Sequence, residues 1–135
     1  MDSSILDVSL TRNTTLSITI KGDITEDNLP TLRSDITRGA DFIRRESEKA
    51  LRPLPALVDV THLNRAYSAE AIELLAEFEK NNRPYITHTA VFGADIKIKF
   101  TGEIVSAISG RKNISFYNTK EEALAALASD ATSLT

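Results

Sequence analysis

Apolar and polar residues alternate near the start of the chain. Ile5, Leu6, Val8 and Leu10 stand out in the first run, and Leu16-Ser17-Ile18-Thr19-Ile20 alternates strictly. A period of two puts alternate side chains on one face, so both runs predict strands with one buried face. Arg12, Asn13 and Thr14 supply the turn between them, and the pair reads as an antiparallel hairpin. Gly22-Asp23 ends the second strand. From Leu29 the period changes. Leu29, Leu32, Ile36, Ala40 and Ile43 recur every three or four residues, which is the stripe of an amphipathic helix. Asp27 or Asn28 is placed to cap it, and Pro30 fits its first turn, where an N–H is not needed. Gly39 lies inside the pattern and weakens the helix. Residues Arg44 to Lys49 form a solvated, charged end, and Pro53 and Pro55 stop the helix.

Ala56-Leu57-Val58-Asp59-Val60 is short and almost continuously apolar, the pattern of a central parallel strand covered on both faces. Ser68 opens a second helix carrying Ile72, Leu75 and Phe78 or Glu79, and Asn81-Asn82-Arg83-Pro84 ends it. Ile86 to Phe92 predicts a strand, with Gly93 as the turn after it. A third helix is expected from about Ile96 to Ser109, with Gly110 at its C-cap. Ile114 to Tyr117 is a last short strand. Thr119 and Glu122 form a capping box for a final helix with Ala123, Leu124 and Leu127. The order β-β-α-β-α-β-α-β-α predicts an α/β fold. It is a single domain with a mostly parallel sheet of about five strands, an antiparallel edge strand and four helices. The domain spans 1–129, and 130–135 reads as a polar C-terminal tail.

Composition narrows the function classes. At 135 residues the chain suits one core. Hydrophobic residues make up 41% and charged residues 26%, a globular balance. A net charge of -3 builds no basic field, which argues against nucleic acid as a partner. There is no cysteine, so thiolate metal sites are unavailable and a reducing cytoplasm is the expected setting. Met1-Asp2-Ser3-Ser4 does not read as a signal peptide, and no apolar run approaches the length of a membrane span. No cofactor is implied.

Three segments together resemble the STAS domain, the fold of bacterial anti-sigma-factor antagonists. They are also similar to uncharacterised STAS-like proteins grouped structurally with CRAL-TRIO lipid carriers. Ile20-Lys21-Gly22-Asp23-Ile24-Thr25 with Leu29-Pro30-Thr31-Leu32-Arg33 resembles the family's strand, glycine and helix start. Leu57-Val58-Asp59-Val60-Thr61 resembles its central strand. Phe116-Tyr117-Asn118-Thr119 with Glu121-Glu122-Ala123-Leu124 resembles its last strand and helix. The resemblance implies a non-enzymatic regulatory module that binds a protein partner or itself as a homodimer. In the family's antagonists, a kinase phosphorylates the first Ser of an Asp-Ser-Ser-Gly-Leu run at the start of the second helix. The matching positions here are Tyr67-Ser68-Ala69-Glu70-Ala71. The Ser is kept, and the residues around it differ.

Ser68 therefore has two readings, an N-cap or a phosphorylation point. Asn64, Tyr67, Ser68 and Glu70 form the candidate partner surface, on the second helix and its leading loop, Leu63 to Leu75. The turns after the strands are a second candidate, because open α/β sheets bind ligands beyond their strand ends. That edge collects Thr61, His62, Asn64, Tyr67, Ser68, Gly93, Ala94, Asp95 and Asn118, and Gly93, Asp95 and Asn118 are its candidate ligand residues. It lacks the glycine fingerprint of a phosphate loop. His62 and His88 have no metal-binding spacing. A Ser68–His62–Asp59 set can be drawn on paper but has no nucleophile elbow. The apolar stripe from Leu29 to Ile43 is read first as core, the alternatives being a cavity for a small apolar, lipid-like ligand or a face for dimerisation.

Overall fold

The computed structural model describes residues 5–93 and 114–133, with the side chains of all but 64–67 and 129–133. Two sheets form. The larger has five strands in the order β1-β2-β4-β6-β7: β1 (Leu6–Leu10), β2 (Leu16–Ile20), β4 (Leu54–Asp59), β6 (Ile86–Phe92) and β7 (Ile114–Tyr117). β1 pairs antiparallel with β2 at one edge. Every other neighbour in that sheet is parallel. The hairpin, the antiparallel edge and the parallel centre are as the alternation and the β–α order predict.

The smaller sheet was not expected. β3 (Gly22–Ile24) pairs in parallel with β5 (Leu63–Tyr67), so the segment read as a loop leading into the second helix is a strand. Its three-residue partner follows β2 after one intervening residue, Lys21. So short a strand leaves no periodicity to read.

Three described helices flank the large sheet. α1 (Leu29–Ala50) and α2 (Ala69–Asn82) are followed, after β7, by α3 (Lys120–Ser133). The helix expected over 96–109 falls outside the described residues. α1 runs a full turn and more beyond the stripe that predicted it, through the charged segment. Its side chains there satisfy one another: Arg44 reaches Asp41 and Glu48, Arg45 reaches Asp41, and Lys49 reaches Glu46. α3 runs into the segment read as a polar tail. Its start shows the first half of the expected box, Thr119 Oγ1 accepting from Glu122 N at 3.2 Å, while the Thr119 hydroxyl donates to Glu122 Oε1 at 3.1 Å.

The core has two parts, one on each face of the sheet. On one face Leu16, Ile18, Leu54, Ala56, Val58 and Ile86 pack with Leu29, Leu32 and Ile43 of α1 and Ala71 and Phe78 of α2. On the other, Leu57, Ala90 and Phe92 pack with Ala123 and Leu127 of α3. Ala56 and Val58 face one layer and Leu57 the other, which is why β4 reads as continuously apolar. The α1 stripe is thus part of the core: Leu32 and Ile43 have no exposed surface. Gly39 lets α1 approach the edge strand. A Cβ there would lie 2.9 Å from Val8 Cγ2 and 3.3 Å from Leu6 Cδ2.

Candidate functional site

The carboxyl ends of β2, β4 and β6 are closed by the chain itself. β2 passes through Gly22, at φ 80°, into β3. Gly22 N donates to His62 O at 3.0 Å. β4 turns after Asp59, whose Oδ1 accepts Thr61 N at 2.8 Å, a side chain imitating a backbone turn. Val60 N then donates to Phe92 O at 3.1 Å, and Leu63 N to Val60 O at 3.1 Å. Gly93 follows β6 at φ 83°. A Cβ on it would lie 2.3 Å from Thr61 Oγ1 and 2.9 Å from both Cα and N of Thr61. Gly93 is glycine because two backbones meet there.

The start of α2 is built on this layer. Ser68 N donates to Ile24 O at 3.1 Å, continuing the β3–β5 ladder by one residue. Its extended backbone is that of an N-cap, and its Oγ accepts Ala71 N at 3.1 Å. The same residue thus ends a strand pairing and starts a helix. Asn64 and Tyr67 lie on β5, and Glu70 lies in the first turn of α2, half exposed and 3.7 Å from Arg33 of α1. Between the two helices runs an open groove of about 720 Å³, lined by Arg33, Glu70, Glu73, Leu74, Ala76, Glu77 and Lys80. Glu73 and Glu77 are exposed. The structure thus gathers Ser68 and Glu70 on the end of α2, with Asn64 and Tyr67 on the strand that delivers it.

The second candidate set is less compact. Gly93 faces Thr61, Asn118 lies in the bend before α3, and Asp95 falls outside the described residues. The Ser68–His62–Asp59 set is not assembled by hydrogen bonds: Asp59 holds Thr61 N, and Ser68 Oγ holds Ala71 N. His62 is exposed and His88 is half-buried in β6. Among the described residues no three metal-ligating side chains gather, and no helix is long and apolar enough to cross a membrane.

One buried polar group was missed by the sequence reading. Asp35 of α1 is 2% exposed. Its Oδ2 accepts Ile5 N at 2.7 Å and Leu6 N at 3.1 Å, and its Oδ1 pairs with Arg38. The carboxylate pins the start of the edge strand to α1. Arg38, three residues on, is the only sequence signal of this role, and such spacing is common on helix surfaces.

At the opposite end of the sheet, α1 ends in a tight cap. Leu51 N donates to Glu48 O at 3.1 Å, Arg52 N to Ser47 O at 3.2 Å, and Ser47 Oγ to Arg52 O at 2.8 Å. This is the six-to-one and five-to-two bonding of a Schellman ending. Arg52 Nη2 reaches Thr14 Oγ1 at 2.9 Å, tying the cap to the β1–β2 turn. Nearby on α1, the hydrogen bond that Arg44 donates to Asp41 raises the pKa of Arg44 above the usual arginine value, with the charge of Glu48 adding to it.

No family model and no curated protein matches the chain. Solved structures do match it, two of which show the likeness. One is an uncharacterised DUF3478 protein from Shewanella loihica PV-4 with a SpoIIAA-like fold, at TM-score 0.56 and 17% identity, covering 94% of this chain and 98% of that one. The other is an anti-sigma-factor antagonist (STAS) domain protein from Planctomyces limnophilus, at TM-score 0.54 and 17% identity, covering 91% and 97%. With the hairpin edge, the parallel centre and the helix order described above, these likenesses identify the chain as an α/β domain of STAS-like fold.

Proposed function

We propose that this domain is a non-catalytic interaction module that works in the cytoplasm and docks a protein partner on α2 and the strand leading into it, Leu63 to Leu75. The observation that carries this reading is the double anchoring of Ser68. One residue is fixed to β3 through its N–H and caps α2 through its hydroxyl. The start of α2 is therefore held in place before any partner arrives, which lowers the ordering cost of binding. Beside it Glu70, Glu73 and Glu77 line a groove with Arg33 and Lys80, and charges so arranged select partners and orient them. The solved neighbour of anti-sigma-factor antagonist type supports the same class of function.

Under this reading Ser68 serves the surface first as its N-cap. A phosphate on it would add about -1.5 to -2 charges two residues from Glu70, so phosphorylation would act by repelling a partner. The test is affinity capture from the host's extract, with native mass spectrometry of the complex. Wild-type protein is expected to retain a partner that Glu73→Arg/Glu77→Arg loses, with circular dichroism unchanged. A lipid mass on the purified domain and no protein would replace this reading with that of an apolar-ligand carrier. A homodimer broken by the same pair of substitutions would make the partner a second copy.

A further inference from the structure

Leu51 breaks two rules at once. It is 91% exposed, and it sits at φ 58°, in the left-handed position where a helix ending of this kind usually has glycine. A side chain there is strained by its own backbone, and a leucine there gains nothing from burial. An outlier of this kind is a reason to look for a function. Leu10, at 37% exposure, is also one of the few exposed large apolar side chains among the described residues. It ends β1 at the same end of the sheet, across from Leu16. The bond from Arg52 to Thr14 joins the helix ending to the turn that follows Leu10.

The charges at this end are not balanced. The acids of α1 nearby are matched by α1's own cations: Asp41 by Arg44 and Arg45, Glu48 by Arg44, and Glu46 by Lys49. Arg12 is exposed and has no ion-pair partner among the described residues. The side chain of Arg52, also exposed, bonds only a neutral hydroxyl among the described residues. Two unmatched cations therefore flank two exposed leucines, on a chain whose net charge is -3.

We propose that this amino end of the sheet docks on an anionic lipid surface, Leu51 and Leu10 entering the interface while Arg12 and Arg52 meet the headgroups. Charge decides among the occupants. A second copy on a two-fold axis would bring this same cationic patch against itself. A protein partner would have to match shape over roughly 800 Å², whereas a fluid lipid surface needs no matching shape. Exposed apolar residues beside unmatched arginines suit such a surface, the apolar part entering it and the cations meeting anionic headgroups. The start of α2 lies at the other end of the sheet, so a docked domain would hold it away from the lipid. The proposal stands independently of the partner-docking reading above.

The test is co-sedimentation of the intact chain with vesicles of phosphatidylcholine alone and with vesicles containing phosphatidylserine. The wild type is expected to pellet with the phosphatidylserine vesicles, at least tenfold more than with phosphatidylcholine, and to be released by salt. Leu51→Gly and Arg12→Glu should each lower the bound fraction several-fold. Leu51→Gly should do so with an equal or higher melting temperature, because glycine is at ease at that φ, so lost binding cannot be lost folding. No pelleting of the wild type overturns the proposal, as does wild-type pelleting of both variants. Self-association of the wild type without vesicles, abolished by Leu51→Gly, also overturns it and gives the surface to a second copy.

Discussion

The two ends of the sheet are finished in different ways. At the carboxyl end, β3 and β5 form a second layer over the strand ends, and backbones meet closely at Gly93 and Thr61. Asp35 holds the start of β1 there with a buried carboxylate. At the amino end the chain turns back through a hairpin and a helix cap, and it leaves Leu10 and Leu51 in solvent. The first end has little room for a changed side chain. The second has room and carries side chains that folding does not require. Substitutions should therefore cost stability at the carboxyl end and cost little, or even gain some, at the amino end.

The largest effect is expected at Gly93. Gly93→Ala would place a Cβ against the backbone of Thr61 and strain φ as well, for a loss of about 3 kcal/mol by urea unfolding. A loss below about 1 kcal/mol would mean that the two turns are not tightly joined. Asp35→Ala comes next. It strands the N–H groups of Ile5 and Leu6, at a cost of about 2 kcal/mol. Hydrogen exchange should show those two amides opening faster than the rest of β1. If they exchange unchanged, the carboxylate is not what holds the edge strand.

Smaller effects compare the two helix ends directly. Ser68→Ala removes the cap of α2 and should cost about 1 kcal/mol, while Ser68→Asp keeps an acceptor and should cost little. Equal losses in both would show that the hydroxyl matters for something other than capping. Leu51→Gly has the opposite sign: relief of the left-handed leucine should stabilise by about 1 kcal/mol, reduced by the greater freedom of glycine in the unfolded chain. If it destabilises instead, Leu51 makes contacts that its exposure conceals, and the contrast between the two ends fails.

Much of the architecture was legible because it rests on local periodicity. The strict alternation of Leu16 to Ile20 predicted a strand with one buried face, and Leu16 and Ile18 are buried. The three-and-four spacing from Leu29 to Ile43 predicted α1, and Thr119 with Glu122 predicted the start of α3. The small sheet was not legible, since β3 is three residues long and its partner is some forty residues away in the chain. Asn28 shows the same limit. It occupies the position before α1, as expected, but its side chain turns back to Thr25 N at 2.9 Å. A 3-10 turn over 26–28 leads directly into the helix there.

For the candidate site, the Ser68 cap was readable from residue type and position. Its second anchor on Ile24 was not. Gly39 read as a weak point of α1, and in the fold it is the place where α1 and β1 come close enough that a methyl group would collide with Val8.

The sequence by itself determined the strands of the large sheet, the three described helices and their order, because these follow from propensities and periods within a few neighbouring residues. Only the tertiary structure decided that Gly22 to Ile24 would pair with Leu63 to Tyr67, that Asp35 would hold the edge strand, and that Leu51 would be left bare at a helix ending. Each of these depends on where segments distant in the chain come to lie, and hydrogen-bond partners and solvent exposure exist only once the layers have packed.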